Sequence, residues 1–227
     1  MLCQPVYFEV SDKPNSCRSL GPRYTVFDRL ANVLIRHKIG NNIYTHLLYY
    51  CIAIKIYQIR LMVTVISASN REDNNTRKVA QSYQDLLTRK GVDSRLLSLD
   101  EVQVFERNAA FLDVEKEYLV PADKFIIVMP EYNGSYPGIL KLMIDNSDIN
   151  RSWKHKKVLL TGVSTGRAGN LRGMEHLTGS LMHMNMIVHP NRLPISRVDT
   201  LLDENDEIMD PGTIKAVDKQ VEEFLAF

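Results

Sequence analysis

The sequence predicts an α/β fold for residues 62–227, with a parallel β-sheet covered by helices on both faces. Short apolar runs that are typical of buried strands alternate there with longer segments whose apolar residues recur at helical spacing. Polar or glycine-rich loops follow the first, third and fourth apolar runs. Open α/β sheets bind ligands at this edge, so the pattern also predicts where a site would lie.

The first strand, helix and second strand are predicted between residues 62 and 99. Residues 62–66 form an apolar run that ends in the polar loop 67–76. The apolar residues that follow recur at helical spacing and predict a helix; they are Val79, Ala80, Tyr83, Leu86 and Leu87. Gly91 follows as a stop signal, and residues 94–99 alternate as a second strand.

Three more strands are predicted in the rest of the chain, over residues 124–129, 157–163 and 186–188. Helices are predicted over residues 139–145, 171–184 and 211–225. Pro211 suits the first turn of the last helix. Residues 100–120 are expected to be irregular and partly helical, and residues 193–210 irregular.

Five strands in this arrangement suit a flavodoxin-like three-layer sandwich with strand order 2-1-3-4-5. That order binds its ligand at the switch point, beside the first and third strands. The two loops that are richest in special residues, 67–76 and 130–138, follow those two strands.

Residues 1–61 differ from the rest of the chain. They show no clear period and carry a net charge of +5, against −4 for residues 62–227. We expect a poorly ordered or weakly packed extension before a single domain that spans residues 62–227. The apolar window 43–59 is too short and too polar for a membrane span, and a membrane-surface helix is the alternative. A further alternative is that the native chain begins at Met62.

Charge and cysteine content exclude several classes of function. The net charge of +1 gives no argument for nucleic acid, and the basic run 151–157 is too small to supply one. All three cysteines lie in the first 61 residues, so a reducing, cytoplasmic setting is expected. No Cys/His cluster suggests zinc, and the spacing of His176 and His183 favours a surface or interface role over metal ligation.

The loop 67–76 predicts a phosphate site, because it is rich in donors and leads directly into a helix. The amino terminus of a helix presents unpaired N–H groups and a partial positive charge. Glu72 and Asp73 count against an anion, and a capped helix without a ligand is the alternative. Glycines are missing from the Walker A and GxGxxG spacings, which argues against nucleoside triphosphate chemistry and against a Rossmann dehydrogenase.

The loop 130–138 predicts a cradle for a flat ligand. Gly134 and Gly138 allow a ligand to approach the backbone closely, and Pro130 and Pro137 stiffen the loop. We interpret it as a loop that holds a flavin ring.

Three motifs in order make residues 62–227 similar to the NAD(P)H-dependent FMN reductase family of flavodoxin-like proteins. They are Ser69-Asn70-Arg71 with Thr76, residues 130–135 with 137–141, and residues 166–173. The middle motif is long and distinctive, and members of the family usually begin at the position of Met62.

The resemblance implies a role for thirteen residues. The FMN phosphate would be held by Ser69, Arg71, Asn74 and Thr76. The isoalloxazine ring would be lined, largely through backbone groups, by Glu131, Tyr132, Asn133 and Gly134, and Pro130 would also bind the cofactor. The far side of the ring site would be shaped by Ser164, Thr165, Gly166 and Gly169.

The resemblance also implies an activity. NAD(P)H would reduce FMN, and electrons would then pass to a small acceptor in a ping-pong scheme: free flavin, a quinone, an azo compound or a metal oxyanion. No catalytic side chain and no metal are expected, because the flavin carries the chemistry. A homodimer or homotetramer is expected. The alternatives are a non-enzymatic FMN electron carrier and a cofactor-free interaction module.

Overall fold

A computed structural model describes residues 61–227 of the chain. The predictions made above for residues 1–60 lie outside this part. Within residues 61–227, none of the helices combines the length and the apolar character that crossing a membrane requires.

All strands of the central sheet run parallel, in the order β2-β1-β3-β4-β5, with β6 also paired to β4. The strands are β1 (Met62–Ser67), β2 (Asp93–Ser98), β3 (Lys124–Pro130), β4 (Lys157–Val163), β5 (Ile187–Val188) and β6 (Leu193–Ile195). This confirms the predicted flavodoxin-like order. It also places the loops after β1, β3 and β4 at one edge of the sheet.

The sixth strand was not predicted, because residues 193–210 were expected to be irregular. β5 pairs with the start of β4 and β6 with its end, so the two short strands share one edge of the sheet. Three residues are too few to show a strand period. Pro194 also argues against a strand by composition, although an edge position tolerates it.

Six helices in the described region cover the sheet. They are α1 (Asn75–Arg89), α2 (Ala109–Val114), α3 (Gly138–Asn146), α4 (Ile149–Ser152), α5 (Leu171–His183) and α6 (Pro211–Ala226). A turn of π-helix, Glu115–Leu119, extends α2, and a 3₁₀ turn, Val198–Thr200, follows β6. The helices predicted from apolar spacing therefore exist, with ends shifted by a few residues.

Two apolar cores lie on opposite faces of the sheet. Phe125, Ile127 and Met129 of β3 pack on one face with α2, α3 and α5. Ile126 and Val128 pack on the other face with α1 and α6. Because both faces are covered, β3 is buried along its whole length, as a continuous apolar run predicts.

Glu115 is a buried carboxylate in the segment that was expected to be irregular and partly helical. Its oxygens accept hydrogen bonds from Arg107 Nη2 at 2.9 Å, the Asp148 N–H at 2.5 Å and Ser152 Oγ at 3.1 Å. It thereby connects the π-helical turn to the start of α4. Burial alone would raise the pKa of Glu115, but these hydrogen bonds and the charge of Arg107 hold that pKa below its ordinary value.

We expect Glu115→Gln to lower the free energy of unfolding by about 2 kcal/mol at pH 7, because charge-assisted hydrogen bonds are lost. A depressed pKa stabilises the folded state above the unfolded pKa of about 4.3, and this contribution disappears as pH falls through the folded pKa. The difference between wild type and variant should therefore shrink in acid. Urea unfolding over a pH series measures it. Glu106→Gln, at an exposed carboxylate nearby, is the matched control, and equal effects of the two changes would contradict the role of Glu115.

Candidate functional site

A cavity of about 610 Å³ opens at the carboxyl edge of the sheet. Three loops line it, residues 71–76 after β1, 130–134 after β3 and 163–168 after β4, together with Val198. The fold therefore brings together the three loops that the sequence singled out. A cavity of this size suits one medium-sized ligand.

Eleven of the thirteen residues that were expected to bind a cofactor line this cavity. They are Arg71, Asn74, Thr76, Pro130, Glu131, Tyr132, Asn133, Gly134, Ser164, Thr165 and Gly166. Ser69 and Gly169 are buried and lie outside the lining. The cavity is also lined by residues that were not in the predicted set, namely Glu72, Asp73, Asn75, Val163, Arg167, Ala168 and Val198.

Ser69 stabilises the first loop through buried hydrogen bonds. Its side chain is fully buried, and its Oγ lies 2.8 Å from Tyr132 Oη. The same Oγ accepts a hydrogen bond from the Arg71 N–H at 3.2 Å. Ser69 thus connects the first loop to the second and fixes the backbone that carries Arg71.

Arg71 brings a positive charge to the cavity. Its guanidinium carbon lies 4.2 Å from the centroid of the Tyr132 ring, which is a cation–π contact. Among the described residues, no carboxylate forms an ion pair with it. The arginine is therefore held in place by an aromatic face while its charge stays available for an anionic ligand.

The amino terminus of α1 lines the cavity beside Arg71, through Asn75 and Thr76. Asn74 caps the helix, because its Oδ1 accepts a hydrogen bond from the Arg77 N–H at 2.8 Å. Asp73, which counted against an anion in the sequence, pairs with Lys78 at 3.1 Å. A capped 15-residue helix beside an unpaired arginine makes this part of the cavity suited to a phosphate.

The second loop turns tightly at Asn133 and Gly134, which both have positive φ. The backbones of Tyr132 and Ser135 exchange two hydrogen bonds, at 2.9 and 3.1 Å, across this two-residue turn. The Glu131 N–H donates to the Val163 carbonyl at 3.2 Å. Within residues 61–227, nothing accepts a hydrogen bond from the N–H groups of Asn133 and Gly134. These two groups are the donors that the turn offers to a ligand.

Ser164 closes the third loop. Its Oγ accepts from the Gly169 N–H at 3.0 Å and donates to the Gly166 carbonyl at 3.1 Å. Its carbonyl accepts from the Val198 N–H at 3.1 Å. The hydroxyl is therefore used inside the loop, and Thr165 and Gly166 are exposed at the cavity wall.

Asn170 is a scaffold residue that was quoted in the third motif but given no role. It is fully buried, and its Nδ2 donates to the carbonyls of Met129 and Pro130 at 3.1 and 2.8 Å. Its Oδ1 caps α5 by accepting from the Gly173 N–H at 3.1 Å. An asparagine just before a predicted helix is a capping signal, but the bonds to β3 depend on the fold.

Comparison with known proteins finds a match to the model of the NADPH-dependent FMN reductase family over residues 61–199. A 2-hydroxy-1,4-benzoquinone reductase from Burkholderia sp is 27% identical over 116 residues, which cover 49% of this chain and 63% of that protein. An NAD(P)H-dependent FMN reductase from Pseudomonas aeruginosa is 29% identical over 112 residues, which cover 47% and 60%. The chain thus spans less than two thirds of the length of each relative.

Among solved structures, the chain is similar to FerB, a flavoenzyme NAD(P)H:(acceptor) oxidoreductase from Paracoccus denitrificans. The TM-score is 0.61 at 22% identity, over 73% of this chain and 96% of that one. Identity this low supports the likeness of fold alone.

Proposed function

The chain belongs to the NADPH-dependent FMN reductase family, and we propose that it is an NAD(P)H-dependent flavin oxidoreductase with FMN in the cavity described above. A nicotinamide donor delivers a hydride, and the electrons pass on to a small acceptor. When bound, FMN supplies the redox chemistry by taking up the hydride at N5 and releasing electrons afterwards. The single observation that carries the proposal is that one cavity is lined both by the unpaired Arg71 and by the free backbone N–H donors of Asn133 and Gly134.

The first loop is suited to the phosphate of FMN. Arg71 and the amino terminus of α1 both favour a negative charge there. Asn74 and Thr76 line the same part of the cavity and are the other two residues proposed to bind the phosphate. Ser69 lies behind the lining and fixes the backbone of Arg71 through a hydrogen bond.

The second loop is suited to the isoalloxazine ring of FMN. Reduction of a flavin places negative charge on the ring and a proton at N5, and fixed N–H donors stabilise such a change without reorganising. The free N–H groups of Asn133 and Gly134 are suited to this work, beside a lining contributed by Pro130, Glu131 and Tyr132. Thr165 and Gly166 of the third loop also line the cavity, and the hydrogen bond from the Gly169 N–H to Ser164 Oγ holds that loop in shape.

A small aromatic acceptor fits the site best, and we propose a quinone or free flavin ahead of an azo compound or a metal oxyanion. The relative named as a benzoquinone reductase supports the first of these. With FMN in a cavity of about 610 Å³, donor and acceptor would use the same open face in turn, which supports a ping-pong scheme.

We further propose that the active species is a homodimer or homotetramer in the cytoplasm. Leu171 and Met182 on α5 are large apolar side chains that are more than half exposed, and a partner copy would cover such a face. Residues 61–227 contain no cysteine, which suits a reducing compartment.

The proposal is tested by titrating the purified full-length chain with FMN and then following NADPH and NADH oxidation with benzoquinone or free FMN as acceptor. We expect FMN binding, rapid donor oxidation, and parallel lines in double-reciprocal plots. Tight FMN binding without donor oxidation would identify an electron carrier instead. Failure to bind FMN would leave only an interaction module with this fold.

A further inference from the structure

A second cavity, of about 500 Å³, lies beside the first between β6 and the start of α6. Arg167 lines both cavities, so they are neighbours that share a wall. The other residues that line the second cavity include Arg197, Thr200, Thr213 and Ala216.

The charges in this cavity favour an anion. Arg167 and Arg197 are both exposed, and among residues 61–227 no carboxylate forms an ion pair with either guanidinium. The one carboxylate in the lining, Asp210, caps α6 by accepting from the N–H and Oγ1 of Thr213 at 2.7 and 2.8 Å. Asp210 uses its carboxylate to cap α6 but keeps its charge, and one negative side chain against two unpaired arginines leaves the lining with a net positive charge.

Arg197 is fixed beside the first cavity by its backbone. Its N–H donates to the Gly166 carbonyl at 3.0 Å, and Val198 donates to the Ser164 carbonyl. These bonds join the rim of the second cavity to the loop that forms one wall of the first. A ligand that extends out of the first cavity over this wall would therefore reach Arg197.

A nicotinamide dinucleotide is such a ligand. The first cavity has room for one ligand of about the size of FMN, so a donor whose nicotinamide approaches FMN must place its adenylate half elsewhere. The second cavity is adjacent, has comparable volume and presents two unpaired arginines, which are the residues best suited to phosphates.

We propose that the second cavity binds the phosphate-bearing adenylate half of the hydride donor, with Arg197 and Arg167 contacting its phosphates. The inference rests on the proposed function, because that function supplies the donor. The phosphate concerned is either the 2′-phosphate, which only NADPH has, or the pyrophosphate, which NADPH and NADH share.

The first test is Arg197→Asn, because asparagine tolerates the positive φ of 51° found at this residue. We expect the KM for NADPH to rise roughly tenfold or more, with kcat and the Kd for FMN unchanged. A rise for NADPH alone supports contact with the 2′-phosphate, and an equal rise for NADH supports contact with the pyrophosphate. Arg89→Asn, at an exposed arginine in the last turn of α1, is the matched control.

A second test blocks the cavity without changing charge. Ala216→Phe should raise the KM for both dinucleotides, whereas reduced nicotinamide mononucleotide, which lacks the adenylate half, should be oxidised as by wild type. Unchanged KM values for NADPH and NADH in both variants overturn the proposal. An equal rise in the KM for reduced nicotinamide mononucleotide also overturns the proposal, because the defect would then lie at the flavin.

Calorimetry separates this inference from the proposed function. Titration of wild type with 2′-phospho-ADP-ribose measures the second cavity directly and needs no turnover. If the protein bound this probe in an Arg197-dependent way but oxidised neither donor, the proposed function would fail while the anion site stood. If the protein oxidised the donors but did not bind the probe and showed none of the KM changes above, the inference would be wrong while the proposed function stood.

Discussion

Replacing Gly162 by alanine is expected to lower the free energy of unfolding by about 3 kcal/mol, at the upper end of the usual cost of overpacking. A Cβ at this position would lie 2.1 Å from the Gly169 carbonyl oxygen and 3.0 Å from Asn170 Cβ. The clash involves backbone rather than a flexible side chain, so β4 and the third loop must move apart. Urea unfolding monitored by circular dichroism gives the free energy.

Gly179→Ala is the matched control for this change. Gly179 lies within α5, and nothing stands within 4 Å of a Cβ added there. Alanine should therefore stabilise the protein by about 0.5–1 kcal/mol through helix propensity. A Gly162→Ala variant as stable as wild type would contradict the close approach of β4 to the third loop.

The fold was predictable because its signals are local. Apolar runs, helical spacing and a stop at Gly91 each lie within a few residues of one another, and alternation of strands with helices then restricts the topology. β6 had no such signal, since three residues around Pro194 show no period. The burial of Glu115 was equally hidden, because its partner Arg107 and the N–H of Asp148 meet it only in the folded chain.

The place of the site was predictable for the same reason, but the direction of its side chains was not. Parallel strands bring their carboxyl ends to one edge, so loops that follow neighbouring strands must meet. Ser69 and Tyr132 are 63 residues apart, and nothing in either motif indicates that their hydroxyl groups bond. The resemblance assigned Ser69 to the phosphate, whereas the structure places it behind the cavity lining. Direct contact between Ser69 and a phosphate remains a prediction.

Replacing Arg71 by alanine is expected to weaken FMN binding by roughly 2–3 kcal/mol, or about 30- to 140-fold, through loss of charge-assisted hydrogen bonds to the phosphate. Riboflavin has the same ring and no phosphate, so its affinity should change little. Flavin fluorescence quenching measures both constants on one protein preparation. Arg89→Ala, at an exposed arginine in the last turn of α1, should alter neither.

Tyr132 holds the Arg71 guanidinium in place through its ring. Variants of Tyr132 therefore separate the positioning of Arg71 from the contact of Arg71 with the phosphate. Tyr132→Phe keeps the face beneath Arg71 but removes the bond to Ser69 Oγ, and it should weaken FMN by only about 1 kcal/mol. Ser69→Ala should cost a similar amount, and the double variant should cost less than the sum, because both remove one bond. Tyr136→Phe is the control, at a tyrosine of the same loop whose hydroxyl forms no hydrogen bond within residues 61–227. If Arg71→Ala weakened riboflavin as much as FMN, the arginine would act on the ring, and the phosphate would have to lie elsewhere in the cavity.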